Sequence, residues 1–390
     1  MKNKIQKNYV LFFVISCIAI FFIKVFHQRV DFPCFYLAGD RFIHGQNLYV
    51  ISDPWPYKYL PTASIFFIPF ALFPYDLSLI LFYLVSFGTM ALTYLFFINW
   101  MKKEGKEIPF WMFILVFAIN VKAHFYDYAN LQVNHILVYL LVLSYALLQK
   151  KKEWAAALLF AVAGVFKIIP LFIALFFLLK KSYRFVGKIA VWTIALLLAP
   201  ALRFGVDGLV QQYRNYGALM KNYHQLFAPD RLYQSIPSMI ARAGEPVLWS
   251  ETTMKMVLLV FLAVLGSVVL KMIYEQAKSE NSNPFLGMLQ YSACLIFYPL
   301  VNPVGWKHGY VFLLPMTFLL IQVIREQKLY QKLYFKVEMG VFVILYCLSS
   351  QLFLGKKISD NKDLMSFNVW AAILLLVMGY QAHSALLKRK

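Results

Sequence analysis

The sequence predicts an all-α polytopic membrane protein with about twelve transmembrane helices. Three observations carry that expectation. Of 390 residues, 61% are hydrophobic and only 14% charged, against roughly half and a quarter in soluble domains. Apolar runs recur along the whole chain, and a helix crosses a bilayer with roughly 20 such residues, or fewer where neighbours shield it. The basic residues gather in short segments between the runs, as in the cytoplasmic loops of membrane proteins. Backbone polar groups in lipid have to be satisfied within the segment, which a helix does, and the alternating pattern of a barrel is absent. The formal charge of +20 therefore marks inner loops, and no nucleic-acid partner is expected.

The first apolar run, 9–26, follows the basic stretch MKNKIQKNY without a small-residue cleavage site. It reads as an uncleaved span with the N-terminus inside. Residues 27–76 then form a first outer loop. Within it, PTASIFFIPFALFP (61–74) is apolar but short and bracketed by prolines. Were it to span, Lys102, Lys103 and Lys106 would fall outside, so it reads as an interfacial or re-entrant helix. Spans follow at 77–100, 109–122 and 132–149. Basic clusters flank 154–180 at both ends, Lys150 to Lys152 and Lys180, Lys181 and Arg184. Two short helices, 154–167 and 168–180, keep both clusters inside by folding as a hairpin with Lys167 near its outer tip. A span at 187–203 leads to a second long outer loop, 203–251. Spans at 252–273, 285–301, 309–324, 337–354 and 365–386 complete a single integral membrane domain, 1–390, with both termini cytoplasmic. The long loops share one face, and the chemistry is expected there. Cys17, Cys34, Cys294 and Cys347 have no metal-ligand spacing, so neither a disulfide framework nor a zinc site is expected. Of the four, Cys34 alone can face outward.

Polar residues in such a chain narrow the candidates. Asp31 lies five residues past the first span, walled by Phe32, Phe35 and Tyr36. Partial burial there raises a carboxyl pKa and suits it to proton abstraction; the alternative is an interfacial acid capping a helix. Asp40, beside Arg41, reads as a paired surface charge. In WPYKYLPTAS (55–64), Lys58 sits among belt aromatics where it can meet a lipid phosphate. His124, Asp127, Asn130 and Asn134 fall on one helical stripe with Gln132 nearby, which faces either a cavity or another helix. Lys167 is a cation deep in apolar sequence; it either snorkels or binds an anionic headgroup. The turn YPLVNPVGWKHGYVF (298–312) holds Trp306 and His308, the first a belt residue or a substrate contact, the second able to reach phosphate through either ring nitrogen. In the second long loop, YQSIPSMIARAGEP reads as a short amphipathic piece ending in Arg242, whose guanidinium suits phosphate.

Taken in order, these motifs resemble glycosyltransferase family 87, polyprenol-phosphate-mannose-dependent mannosyltransferases of the GT-C superfamily. The resemblance runs through DFPCFY (31–36), GQNLY (45–49), YKYLP (57–61), QVN (132–134), KIIP (167–170) and WKH (306–308). The chain departs from the family pattern at Leu60, where a proline is usual, at Tyr233 for an asparagine, and at Gly309 for a second histidine. The resemblance implies a GT-C fold with interfacial helices in the first outer loop and a cavity on the extracytoplasmic face of the plasma membrane. It implies a polyprenyl-phosphate sugar donor, a glycolipid, glycan or protein acceptor, and inversion at the sugar. Asp31 maps onto the general base. Lys167, His308 and Arg242 are expected at the donor phosphate, with Lys58, Gln132, Asn134, Tyr36 and Trp306 as further substrate contacts. No cofactor is expected: the lipid-linked sugar is a substrate, and no Asp-x-Asp pair stands ready for a metal. Two other functions fit a chain of this shape. One is a lipid-linked glycan ligase or polymerase, which would use a diphosphate donor and in which His224 is the long loop's one histidine. The other is a transporter or flippase, for which no paired broken helices are evident.

Overall fold

The computed structural model describes residues 2–26, 31–223, 225–279, 283–349, 355, 357–358 and 363–388, with side chains from Asn8 onward. His224 and residues 27–30 and 350–354, which fall within the expected loops and one expected span, lie outside them. The described chain is all-helical, without strands. Its helices are α1 (Lys2–Ile20), α2 (Phe32–His44), α3 (Pro61–Ala71), α4 (Tyr75–Lys103), α5 (Phe110–Asn130), α6 (Asn134–Gln149), α7 (Glu153–Phe166) and α8 (Ile169–Leu179). They continue as α9 (Tyr183–Leu198), α10 (Ala201–Tyr223), α11 (Ile236–Gly244), α12 (Glu251–Ser279), α13 (Pro284–Val301), α14 (Lys307–Glu326), α15 (Leu333–Phe342) and α16 (Phe367–Leu387).

Among the described residues, seven helices are long and apolar enough to cross a membrane, and eight if the bent pair α9 and α10 counts as one span. The protein is therefore a multi-pass membrane protein. A helix lies in each of the twelve expected spans. The lower count has a physical source: α6, α7 and α8 are apolar but hold fewer than 18 residues, about what a perpendicular crossing of the hydrocarbon core needs at its lower limit, and α15, in the expected span 337–354, holds only 10. The region expected to form the second outer loop also differs from expectation. It opens with a 23-residue helix, α10, set 86° from α9. Pro200 stands at the junction, and Gly205 takes φ 69° and ψ 178°, a conformation that only glycine adopts readily. Leu202, Val206 and Val210 are exposed along one side of α10, while Leu209, Gln212 and Leu219 are buried.

The chain sorts into two compact units, residues 1–96 with 125–224, and residues 97–124 with 225–390. In the first unit, the core beside the opening loop is aromatic. Phe35 stacks on Phe67 with centroids 4.6 Å apart, and Phe82 packs against Phe32, Phe35 and Phe67. Gly39 lets α2 approach the chain at Phe67. α7 packs between α6 and α9. Beyond α7, Lys167 leaves the helix in an extended conformation, and Pro170 stands in the first turn of α8. Phe160 against Phe177, with centroids 5.7 Å apart, folds the two helices back on each other around Lys167. Gly164 permits this, since a Cβ there would meet Leu171 at 2.4 Å. The expected hairpin is thus present.

In the second unit, α13 and α14 are the most buried of the candidate spans, 78% and 89% of their apolar windows. Tyr298 stacks on Phe312 at 4.0 Å between them.

A Cβ on Gly39 would lie 2.6 Å from the Phe67 carbonyl oxygen, which is backbone and has little room to yield. Gly39→Ala is expected to destabilise by about 1–3 kcal/mol, the scale of overpacking, and to lower Tm in detergent. Gly88→Ala in α4, with no atom within 4 Å of the added carbon, is the control and leaves Tm unchanged or higher. Equal Tm for Gly39→Ala and wild type would contradict this packing.

Candidate active site

Asp31 immediately precedes α2, and its side chain makes no cap to that helix. It is therefore not the helix-capping acid that the sequence left as an alternative. Its backbone N–H donates to the Asn130 carbonyl at 3.2 Å. Its Oδ2 accepts a hydrogen bond from Gln132 Nε2, while Oδ1 receives none from the described residues. Burial pushes the Asp31 carboxyl above its ordinary range; the Gln132 hydrogen bond and the charges of Lys167 and Lys58 oppose that rise. The aromatic core of Phe32, Phe35, Phe67 and Phe82 stands behind it.

The end of α5 delivers Gln132. The expected stripe of His124, Asp127, Asn130 and Asn134 does not run on one helix, because α5 stops at Asn130 and α6 starts at Asn134. Between them Leu131, fully buried, takes φ 49°. The Gln132 N–H closes the turn onto the Asp127 carbonyl at 3.0 Å. A left-handed leucine costs roughly 1–3 kcal/mol, and the turn it makes points Gln132 and Asn134 to the same place. Lys167, at the tip of the α7–α8 hairpin, donates to Asn134 Oδ1 at 2.7 Å and reaches Gln132 Oε1 at 3.5 Å. Asn134 Nδ2 donates to Asp127 Oδ1 at 2.7 Å. Tyr59 OH donates to Gln132 Oε1 at 3.1 Å, and its own carbonyl accepts from Tyr49 OH at 2.8 Å. Asp31, Gln132, Lys167, Asn134 and Asp127 thus form one polar chain. Lys58 lies over the Tyr223 ring at 4.1 Å. Tyr36 stands apart from the polar chain: its hydroxyl donates to the Phe73 carbonyl and its ring packs on Tyr75.

The rest of the opening loop is scaffolding. Arg41 pairs with Asp53 through two hydrogen bonds of 2.5 and 2.9 Å, and Asp40 lies 3.3 Å from His44. The expected pairing of Asp40 with its neighbour Arg41 is therefore replaced by pairs at helical and loop spacing, which point their side chains together. Gly45 ends α2 at φ 68°, and Arg203 caps that end by donating to the carbonyls of Phe42 and Ile43. Cys34 is buried, not outward.

Arg242, Trp306 and His308 belong to the second unit. Arg242 donates four hydrogen bonds, to the carbonyls of Leu364, Asp230 and Tyr233 and to Ser366 Oγ, at 2.6–3.2 Å. A guanidinium has five N–H donors, so in this arrangement it clasps two loops and has no open fork for phosphate. Gln234 extends the clasp. Its N–H donates to the Gly305 carbonyl at 2.5 Å, and its side chain joins Arg231, Asp363 and Asn368. Lys307 pairs with Asp363, a partner 56 residues away that no sequence pattern flags. These contacts hold Trp306, which is 40% exposed, with its ring parallel to His308 and edge-on to Tyr233.

Residues 57–303 match the family model of glycosyltransferase family 87. No curated protein and no solved structure matches the chain.

Losing Arg242 removes charged hydrogen bonds worth about 1.5–3 kcal/mol each. Arg242→Met is expected to open the loops at 230–233 and 363–366, read as faster limited proteolysis there and a lower Tm. Wild-type proteolysis in that variant would contradict the clasp.

Proposed function

Starting from a chain that belongs to glycosyltransferase family 87, and is therefore a membrane glycosyltransferase, we propose that it transfers a hexose, read as mannose, from a polyprenyl monophosphate to an acceptor hydroxyl. The acceptor is a glycolipid, a glycan or a protein on the extracytoplasmic side of the plasma membrane, and both termini are cytoplasmic. Family membership favours this over a transporter or flippase, and a monophosphate donor separates it from a lipid-diphosphate ligase or polymerase.

One observation supports the reading above others. A half-buried carboxylate and a lysine are held on the two ends of a single glutamine side chain, Asp31 on Gln132 Nε2 and Lys167 on Gln132 Oε1. Such a pair provides a base and a cation at a fixed separation. Asp31 Oδ1 takes the proton of the acceptor hydroxyl as its oxygen bonds to the anomeric carbon. The bond from that carbon to the phosphate oxygen breaks, and the polyprenyl monophosphate leaves with one more negative charge. Lys167 stabilises that charge as it develops, where fixed donors in a dry site act most strongly. A single displacement inverts the anomeric centre. Lys58, whose charge acts on Asp31, is a second phosphate contact in this scheme. Gln132 and Asn134 serve by holding Lys167, and Tyr36 by lining the first loop. For the second unit taken alone, the exposed ring of Trp306, backed by the buried His308, offers a flat face to a sugar or an isoprenoid, and Arg242 holds the loops that carry them.

Asp31→Asn, reconstituted with labelled polyprenyl-phosphate mannose, is expected to lose about 10²–10⁴-fold in transfer rate, the usual contribution of a general base. Undiminished transfer would remove Asp31 from this role. The pH profile gives a second reading. The base has to be deprotonated, so with its pKa raised the acid limb of kcat/KM lies above the usual carboxylate value of about 3.9. Gln132→Leu deletes a hydrogen bond that favours the charged form, so the limb is expected to move further up in pH. A limb that moves down would contradict the assignment.

A further inference from the structure

Asp31 and Lys167 account for the proposed proton and phosphate chemistry, yet the polar chain carries a second carboxylate. Asp127 is fully buried at the far end of it, in the last turn of α5. A carboxylate removed from water is costly unless it is paired and hydrogen-bonded, so its presence requires a use.

The chemistry of the end groups fixes how the chain is wired. A carboxylate only accepts hydrogen bonds and an ammonium only donates them, so an amide lying between the two has one workable orientation. Asn134 turns its Nδ2 to Asp127 Oδ1 and its Oδ1 to Lys167 Nζ, both at 2.7 Å. Gln132 repeats the pattern with its Nε2 on Asp31 and its Oε1 towards Lys167. The ammonium therefore faces two amide oxygens, each backed by a carboxylate. Asp127 is also tied to the turn that carries both amides, because its carbonyl accepts the Gln132 N–H at 3.0 Å. Its remaining oxygen, Oδ2, lies 3.6 Å from His135 Nε2, and the His135 ring stacks on Tyr128 at 4.9 Å. With these contacts the carboxylate has little freedom to swing away from Asn134.

We propose that Asp127 is a positioning residue: through Asn134 it holds the Lys167 ammonium beside Gln132 and Asp31, where it receives the lipid phosphate. This rests on the assignment of Lys167 to that phosphate. An asparagine at 127 keeps the shape but can present an N–H to Asn134, which lets the 134 amide reverse and turn its own N–H groups towards Lys167.

The proposal predicts a sign that charge alone does not. Deleting a negative charge near an anion site should tighten anion binding by simple Coulomb attraction. If Asp127 instead positions Lys167, its loss weakens binding. The test uses the full-length protein in nanodiscs titrated with polyprenyl monophosphate, which carries no sugar. Lys167→Met is expected to weaken binding about tenfold or more, the size of a lost charged hydrogen bond. Asp127→Asn is expected to weaken it about tenfold, and to add less than about twofold in the Lys167→Met background, since coupled residues are not additive. In turnover, Asp127→Asn raises donor KM and also lowers kcat, because the displaced lysine is the one that meets the charge developing on the leaving phosphate, and Asp127→Glu restores part of the affinity. Should Asp127→Asn fail to fold, judged by its Tm without ligand, Asn134→Ser shortens the same link and is expected to weaken binding equally. Binding equal to or tighter than wild type in Asp127→Asn, or a full further loss in the double variant, would overturn the proposal while leaving Lys167 at the phosphate. Binding indifferent to Lys167→Met would overturn both assignments.

Discussion

The candidate site depends on one half-buried cation held between two amides. Lys167 donates to the oxygen of Asn134 and reaches that of Gln132, and each amide leans on a carboxylate. In apolar surroundings an ammonium without such oxygens is costly, and so is either carboxylate without its donor. Hydrogen bonds link the five side chains in one chain, and changing one deprives a neighbour of a partner. That mutual dependence accounts for the local backbone. The chain accepts a left-handed, buried Leu131 to bring Gln132 and Asn134 together. It breaks the apolar hairpin at Lys167, in extended conformation, to place the cation among them.

The supporting fold follows from the same need. The α7–α8 hairpin is short, and it closes tightly because Gly164 admits Leu171. The opening loop brings Asp31 to the turn by a backbone hydrogen bond to Asn130 and sets an aromatic core behind it. Arg203, Gln212 and Asn215 of α10 tie down the end of α2 and the residues after it. In the second unit a different device does comparable work. Arg242 and Gln234 gather loop carbonyls and keep Trp306 exposed against the buried His308.

Much of this was legible in the sequence, for physical reasons. Long apolar runs announce helices without regard to partners, so a helix lies in every expected span. Basic clusters at both ends of 154–180 required a reversal, and the reversal falls at Lys167. Asp31, Gln132 and Lys167 stood out as polar residues beside or within apolar sequence. The helix break at Leu131 did not, because helical spacing from His124 to Asn134 hides a turn made by a leucine; the polar run NLQVN was the available hint. Arg242 read as a phosphate ligand because a guanidinium suits phosphate and loop carbonyls alike, and only coordinates tell which it holds. The pairs Arg41–Asp53 and Lys307–Asp363 depend on how loops return, which no local pattern encodes.

The account stands or falls on where the lipid phosphate lies. The most direct measurement is an electron cryomicroscopy structure of the protein with polyprenyl monophosphate bound in a nanodisc. The phosphate is expected within hydrogen-bonding distance of Lys167 Nζ, with Asp31 still held by Gln132 and its other oxygen open to the acceptor, on the side of the sugar away from the phosphate. A phosphate bound elsewhere, with Lys167 still donating to Gln132 and Asn134 as it does without lipid, would contradict it.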